Sequence, residues 1–251
     1  MEILGIDIGG SGIKGAIVNV TTGHLTSERL RYETPDPSTP KAVAKTVAQM
    51  VDDFQWKGLI GCGFPSVIQK GKVLTAANID KRWIDTRVEA LLEETTDCLV
   101  KVVNDADAAG LAEATFGAGK GIEGLALLLT IGTGIGSAFI QDGQLVPNSE
   151  LGHLKFKGGI AEHYASDAAR KKNDLSWHVW GKRLNEYLNY VYGLFYPDVI
   201  ILGGGASKKF DKFEDTINVP TTVTTAKLLN LAGIIGAALS ARALIKNHTI
   251  H

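Results

Sequence analysis

The stretch at residues 8–16, IGGSGIKGA, decides the fold, because a shortened copy of it, IGTGIGSA, returns at residues 131–138. Each copy follows an apolar run, at residues 2–8 in the first case and 125–131 in the second. Apolar runs on both sides of a short glycine segment predict two strands joined by a tight turn. The repetition therefore favours duplicated α/β halves over a chance recurrence of simple sequence.

Outward from these turns, short apolar runs alternate with longer stretches of helical spacing. Such alternation is typical of an α/β fold with helices packed on largely parallel central sheets. We expect two domains, residues 1–117 and 118–233, with a C-terminal helix at about 234–247 packing back on the first. The predicted strands are 2–8, 12–20, 24–33, 57–64, 98–103, 125–131, 135–140 and 198–202, and the predicted helices are 41–54, 86–95, 104–117, 174–195 and 226–245.

The composition is that of a folded protein with balanced charge. Of 251 residues 45% are hydrophobic, and 26 Lys and Arg face 27 Asp and Glu. The charge balance by itself excludes neither a nucleic acid nor a polyanion as partner, but any basic surface must be local. We expect neither a nucleic acid nor a membrane as a partner. The two cysteines, Cys62 and Cys98, cannot build a disulfide framework or a four-cysteine zinc site, which fits a reducing compartment. With no basic leader ahead of the first strand, a cytoplasmic protein is expected.

An uncharged run at residues 124–140 is short for a membrane span and contains four glycines. Two strands around a glycine turn explain it better. The same kind of turn at residues 9–12 leads into a strand, so it is neither a dinucleotide fingerprint nor a P-loop, both of which open a helix.

The glycine turns are candidate anion sites. Backbone N–H groups in such a turn can face an anion closely, and Ser11 and Lys14 add donors to the first one. Asp7, at the end of the preceding strand, is placed to orient a metal ion or its water. A simple glycine hairpin is the alternative, but the second turn and a third glycine cluster at 203–205 favour phosphate binding.

Asn104 and Asp105 stand where an apolar strand ends and a helix begins. Both residue types are favoured helix caps, and capping explains one of them well. It explains two adjacent ones less well, since Asp107 offers a third acid in the same turn. The positive end of a helix dipole favours an ionised carboxylate, which is suited to accept a proton from a bound hydroxyl. For Asn104 and Asp105 two interpretations therefore stay open, a helix cap and a general base.

Two Glu and His pairs follow the second turn, Glu150 with His153 and Glu162 with His163. A carboxylate accepts two hydroxyl protons and a neutral imidazole both donates and accepts, so such a pair suits a polyol such as a sugar. An ordinary surface pair is the alternative.

A basic stretch follows. Its cations either attract a run of phosphates or form an ordinary solvated helix face. Its members are Lys155, Lys157, Arg170, Lys171, Lys172, Lys182 and Arg183. Trp177 and Trp180, three residues apart on the predicted helix, are expected in core or dimer packing rather than in ligand stacking.

Taken in order, these elements resemble those of the ROK (repressor, open reading frame, kinase) family of sugar kinases over nearly the whole chain. The resemblance implies two actin-like, ribonuclease-H-like α/β domains with a cleft that closes over a sugar. By position it implies that Asp105 is the general base on the sugar 6-hydroxyl and that Asp7 binds Mg²⁺ through water. It implies sugar contacts from Asn78, Asn104, Asp105, Glu150, His153 and Glu162, and phosphate-donor contacts from Asp7, Gly9, Gly10, Ser11, Gly12, Lys14, Thr130, Gly132, Thr133, Gly134, Gly203 and Gly204.

One departure from the family pattern narrows the resemblance. Most of these kinases carry a cysteine-rich zinc loop after the Glu-x-Gly-His element, whereas residues 154–175 contain no cysteine and no zinc site is expected. The stretches 75–81 and 176–187 resemble those of the zinc-less branch, the polyphosphate glucokinases. That branch implies glucose as acceptor, polyphosphate, ATP or both as donor, and Mg²⁺. The apolar face of the long predicted helix at 174–195 suggests a homodimer. Ser66, where the family usually has glycine, and Ile160 leave the sugar preference open.

Two other functions stay in view. The first is an ATP-dependent hexokinase of the same family acting on glucose, mannose or an N-acetylhexosamine. The second is an actin-like nucleotide switch, which shares the glycine turns but has no use for Glu150 and His153 as sugar ligands.

Overall fold

The computed structural model describes residues 1–77 and 79–248, and the chain separates into two compact units. One unit comprises Met1–Ala112 with the chain from Leu231 onward, and the other comprises Glu113–Asn230. The division at residues 117 and 233 stays a prediction about domains, since compactness alone does not define a functional domain.

The predicted strands and helices are found at or near their expected places, and the described residues form six further short strands and three further short α-helices that the sequence analysis did not predict. The strands are β1 (Glu2–Gly9), β2 (Gly12–Asn19), β3 (Leu30–Tyr32), β4 (Ile60–Phe64), β5 (Ile68–Gln69), β6 (Lys72–Val73), β7 (Val100–Asn104), β8 (Leu125–Ile131), β9 (Ile135–Gln141), β10 (Gln144–Val146), β11 (Lys155–Phe156), β12 (Gly159–Ile160), β13 (Val199–Gly203) and β14 (Thr222–Thr225). The helices are α1 (Pro40–Asp53), α2 (Val88–Thr96), α3 (Asp105–Phe116), α4 (Glu162–Ala165), α5 (Asp167–Lys172), α6 (Trp177–Phe195), α7 (Gly204–Ser207), α8 (Ala232–Ser240) and α9 (Arg242–His248).

Each unit is built on a five-stranded sheet, and the two sheets have the same strand order. The first runs β3-β2-β1-β4-β7 and the second β10-β9-β8-β13-β14. The repeated sequence thus corresponds to a repeated sheet. The expectation of largely parallel sheets is wrong, because β1–β2–β3 and β8–β9–β10 are antiparallel and only the other two pairings of each five-stranded sheet are parallel. Strands joined directly by a tight turn must run antiparallel, so each glycine turn makes its sheet mixed.

The uncharged run at 124–140 forms strands β8 and β9, as predicted. Across the part of the chain that the structure describes, no helix combines the length and apolar character needed to cross a membrane. The predicted third strand at 24–33 is shorter than expected, since only Leu30–Tyr32 pairs as a strand and Leu25 makes an isolated bridge to Val18.

In the first unit, α8 packs directly on β1 and β4. A Cβ at Gly61 in β4 would overlap the carbonyl oxygen of Ala237, and one at Gly236 would overlap that of Ala108. Glycine at these positions lets α8 approach both β4 and α3 at backbone distance. The predicted helix at 226–245 begins later than expected and is divided at Ala241 into α8 and α9.

In the second unit, α6 supplies much of the core. Trp180 is fully buried, and its indole N–H donates to the carbonyl oxygens of Ala165 and Ser166 at 3.1 and 3.0 Å. Trp177 is half-buried and stacks on Phe213 with the ring centroids 5.9 Å apart. Packing rather than ligand stacking therefore explains both tryptophans, as expected from their spacing.

Candidate functional site

The first glycine turn carries a small cluster of charge. Asp7 and Lys14 face each other across β1 and β2, and the Lys14 Nζ lies 3.4 Å from the Asp7 carboxylate. Arg31, on β3, also reaches the turn, where its guanidinium donates to the Ser11 carbonyl oxygen at 3.0 Å. Sequence reasoning missed Arg31. The antiparallel pairing of β3 with β2 places Arg31 beside Lys14, a cross-strand contact that the local sequence pattern does not signal.

The Asp7 carboxylate is a fitting ligand for Mg²⁺. It is partly exposed, and a Cβ at Gly233 would lie only 3.1–3.4 Å from its atoms, so glycine there keeps the approach open. Magnesium in phosphoryl-transfer sites uses one or two carboxylates together with water and substrate phosphates. Among the described residues no group of three or more His, Cys, Asp or Glu side chains could hold a metal ion.

Asn104 caps α3. Its side-chain oxygen accepts from the backbone N–H groups of Ala106 and Asp107 at 2.8 and 3.2 Å, and its amide donates to the Ser66 carbonyl oxygen at 3.2 Å. Capping therefore accounts for Asn104, which is buried.

Asp105 is the first residue of α3, where the helix dipole favours a carboxylate. Its Oδ1 atom accepts from the N–H of Ala106 at 2.8 Å. Because Asn104 serves as the cap, capping does not by itself account for an acid at the next position. Asn78, the remaining sugar-contacting residue expected in this unit, lies outside the described residues.

In the second unit, His153 lies between two carboxylates. Its Nδ1 is 3.3 Å from Glu150 Oε2, and its Nε2 is 3.8 Å from Glu162 Oε1. The structure thus brings Glu162, from the second predicted pair, to Glu150 and His153, which form the first. Burial raises the pKa of Glu150, an effect that His153 opposes and that the nearby Glu162 reinforces.

Two contacts hold this cluster in place. Ser137 Oγ accepts from the N–H of Leu151 at 3.0 Å and donates to the Ser149 carbonyl oxygen at 2.9 Å, so β9 anchors the loop before His153. A Cβ at Gly152 would overlap the Ile135 carbonyl oxygen, which explains glycine inside the Glu-x-Gly-His element. Sequence reasoning missed Ser137, because a serine within a strand carries no signal of its own.

Glu162 joins this cluster to the second glycine turn. Its Oε2 accepts from the N–H of Ile135 at 3.3 Å, and a Cβ at Gly134 would lie 2.5 Å from the same oxygen. One carboxylate therefore contacts both the histidine and the candidate phosphate turn. The Glu162 side chain therefore links His153 to the second glycine turn directly.

The third glycine cluster meets the second turn. Gly203 pairs with Thr130 at the ends of β13 and β8, and a Cβ at Gly204 would lie 2.5 Å from the Ile131 carbonyl oxygen. Gly204 has φ +78°, a conformation that glycine adopts without strain. The structure thus brings together two of the three predicted donor turns within one unit.

The basic stretch at 155–183 is partly neutralised. Lys157 pairs with Glu186 at 2.7 Å, and Arg170 and Lys171 both pair with Asp167, at 2.7 and 2.8 Å. Arg170 also lies over the Trp177 ring, 4.0 Å from its centroid. These contacts favour the interpretation of a balanced surface for this part of the stretch.

The chain has two α/β units with the same strand order, and the sheet of each begins with a strand, a glycine turn and a second strand. This arrangement defines the actin-like, ribonuclease-H-like class of sugar kinases. The family model for the ROK family matches residues 3–164. The chain belongs to the ROK family.

The relatives agree with this assignment. The polyphosphate glucokinase of Mycobacterium tuberculosis is 48% identical over 237 residues, which cover 94% of this chain and 89% of that protein. The crystal structure of the inorganic polyphosphate/ATP-glucomannokinase of Arthrobacter sp. strain KM matches with a TM-score of 0.92 and 47% identity, over 97% of this chain and 99% of the other. A ROK family glucokinase from Streptomyces griseus, solved with glucose and AMPPNP, shares the fold at a TM-score of 0.80 and 24% identity, over 97% and 100% of the two chains.

Proposed function

We propose that this chain is a phosphotransferase that makes glucose 6-phosphate from glucose, with inorganic polyphosphate as phosphoryl donor and ATP as a second donor. The names of the two relatives that are 48% and 47% identical support both donors and the glucose acceptor. The observation that carries the proposal is the contact of His153 with two carboxylates, one of which also contacts a glycine turn. A polyol site thereby adjoins an anion site.

Sugar binding is assigned to side chains that accept and donate hydrogen bonds in a fixed arrangement. Glu150 and Glu162 accept from hydroxyl groups, while His153 donates to one hydroxyl and accepts from another according to its tautomer. Asn104 is assigned as a further sugar contact through its side-chain amide. These contacts orient the sugar, and phosphoryl transfer is catalysed mainly by such positioning together with stabilisation of the phosphate charge.

Asp105 is assigned as the general base. Its carboxylate takes the proton of the sugar 6-hydroxyl, and the 6-oxygen forms a bond to the terminal phosphorus of the donor. The bond between that phosphorus and the bridging oxygen breaks, and the shortened polyphosphate, or ADP, leaves with the bonding electrons. Exclusion of water from the site prevents hydrolysis of the donor in place of transfer.

The glycine turns, with Lys14 and Arg31, are assigned to the phosphates of the donor. Asp7 would hold Mg²⁺, which when bound neutralises part of the charge on those phosphates. The Asp7 contact with Lys14 at 3.4 Å leaves the ammonium close enough to share the same phosphates.

The proposal is tested by glucose 6-phosphate formation with Mg²⁺, comparing long-chain polyphosphate and ATP in parallel. Product with polyphosphate supports the proposal, and product with both donors supports it in full. Product with ATP alone favours the second candidate, an ATP-dependent hexokinase for glucose, mannose or an N-acetylhexosamine. Donor hydrolysis that proceeds equally without glucose would instead indicate a nucleotide switch and overturn the assignment of Glu150 and His153.

We further propose a cytoplasmic homodimer that uses neither a nucleic acid nor a membrane as partner. The two cysteines are buried and unpaired, which fits a reducing compartment. Exposed apolar side chains on α6, among them Tyr190 and Leu194, offer a surface for a second copy.

A further inference from the structure

Exposed lysines occupy both chain segments that flank the third glycine turn. One segment follows α7, which begins at Gly204, and the other follows β14. Ala226 ties the second segment to the turn, because its N–H donates to the Leu202 carbonyl oxygen at 2.9 Å and its methyl would lie 3.7 Å from a Cβ at Gly203. The lysines are Lys208, Lys209, Lys212 and Lys227.

These lysines start where the candidate phosphate turns end. Gly204 lies against Ile131, the residue that opens the second glycine turn. Lys208 directly follows the last residue of α7, one helical turn beyond Gly204. A chain of phosphates leaving the turns along this edge therefore meets positive charge at once.

The charge on Lys208 is positioned without being neutralised. Its ammonium donates to the Asn230 side-chain oxygen at 3.0 Å, and an amide is a neutral acceptor. Within residues 1–77 and 79–248, none of the four lysines forms a salt bridge with a carboxylate. The acids nearest in sequence are Asp211, Glu214 and Asp215, of which Asp215 lies 3.3 Å from His178.

The basic stretch at 155–183 is partly neutralised, because carboxylates hold Lys157, Arg170 and Lys171. Among the described residues its other four cations, Lys155, Lys172, Lys182 and Arg183, form no salt bridge. The two regions therefore carry equal numbers of unpaired cations, and the lysines near Gly204 are distinguished by their place beside the third glycine turn.

We propose that Lys208, Lys209, Lys212 and Lys227 bind the distal phosphates of an inorganic polyphosphate chain whose terminal phosphoryl group lies at the glycine turns. The inference rests on the proposed function and extends it to the part of the donor that does not react. Since every phosphate of the chain is charged, the attraction repeats along it and adds up. Tripolyphosphate, with only three phosphates, is expected to gain little binding from these lysines.

The test uses the full chain with Lys208→Ala and Lys209→Ala combined. Lys120→Ala, at an exposed lysine of the same unit outside the proposed track, serves as the matched control. The KM for long-chain polyphosphate is expected to rise roughly tenfold in the double variant, and by much less for tripolyphosphate. The dependence of log KM on log salt is expected to become shallower by roughly 0.7 for each lysine that no longer neutralises a phosphate.

Direct binding keeps the result independent of turnover. Isothermal titration of each variant with long-chain polyphosphate, without glucose, should show the same weakening in the double variant and none in the control. An equal shift for both donor lengths, or a larger shift in Lys172→Ala than in the double variant, would overturn the inference and return the polyphosphate track to 155–183. If the unmutated chain forms no glucose 6-phosphate with any phosphate donor, the proposed function itself fails.

Discussion

Asp105 is the residue on which the proposed chemistry depends most directly. The Asp105→Asn variant keeps the shape of the side chain and its position at the start of α3 but cannot accept the hydroxyl proton. We expect turnover to fall by about 10²–10⁴-fold while glucose binding survives. The measurement is kcat with either donor beside glucose affinity from calorimetry. Near-normal turnover would remove Asp105 as the base, and an absent melting transition would show that the variant does not report on catalysis.

Glu150 gives a pH dependence whose sign follows from its burial. The carboxylate, rather than the carboxylic acid, accepts two hydroxyl protons, and burial raises its pKa above the ordinary value of 4.5. As pH falls through that raised pKa, Glu150 takes up a proton and glucose binding weakens. The weakening therefore begins at a higher pH than for an ordinary glutamate.

The measurement is the glucose dissociation constant as a function of pH, compared between the natural chain and Glu150→Gln. The variant should bind glucose weakly at every pH and should lack this acidic limb. Should the limb persist unchanged in the variant, another group would be responsible for it.

At the scale of elements, Glu113 on α3 connects two distant stretches of chain. Its side chain is fully buried and accepts from the N–H groups of Ala118, Lys227 and Leu228 at 2.7, 3.1 and 2.7 Å. A Cβ at Gly117 would overlap the same carboxylate. The carboxylate therefore holds the end of α3 against the segment that leads to α8.

Replacement of Glu113 by Ala removes the acceptor of three backbone donors. We expect a loss of about 2–4 kcal/mol in the free energy of unfolding, because buried donors without partners carry a desolvation cost. Glu123→Ala, at an exposed glutamate of the same unit, should change it by less than about 0.5 kcal/mol. Chemical denaturation of both variants measures the difference, and equal stabilities would show that backbone contacts alone hold this junction.

The scale of the whole molecule adds the question of assembly. Tyr190 and Leu194, one turn apart on α6, are 39% and 49% exposed, and neighbouring exposed apolar side chains are typical of an interface. If this face binds a second copy, Leu194→Lys should shift the mass in solution from that of a dimer towards the 26.8 kDa of one chain. Leu74→Lys, at a leucine that is 40% exposed outside α6, is the control and should leave the mass unchanged. Light scattering on a sizing column distinguishes these outcomes, and a monomeric unmutated chain would contradict the proposed dimer.

Particular residues show how far prediction from the sequence reached. The repeat at 8–16 and 131–138 predicted the duplicated sheet, because a glycine turn between two apolar runs leaves the backbone few alternatives to a hairpin. The Asn104 cap and the start of α3 at Asp105 also followed from the sequence, because a cap depends only on hydrogen bonds between residues close together in the chain. Contacts made across the sheet, such as those of Arg31 and Ser137, left no mark in the local pattern and were missed.

The sequence by itself determined the α/β class, the positions of most strands and helices, and the order of motifs that places the chain in the ROK family. These depend on periodicity and on turn chemistry, which act between neighbouring residues. Only the tertiary structure decided which strands lie beside each hairpin, that Glu162 contacts both His153 and the second glycine turn, and which cations are neutralised. The attraction of a charge for a ligand depends on what lies beside it in space, and residues as far apart as Lys157 and Glu186 become neighbours only when the chain has folded.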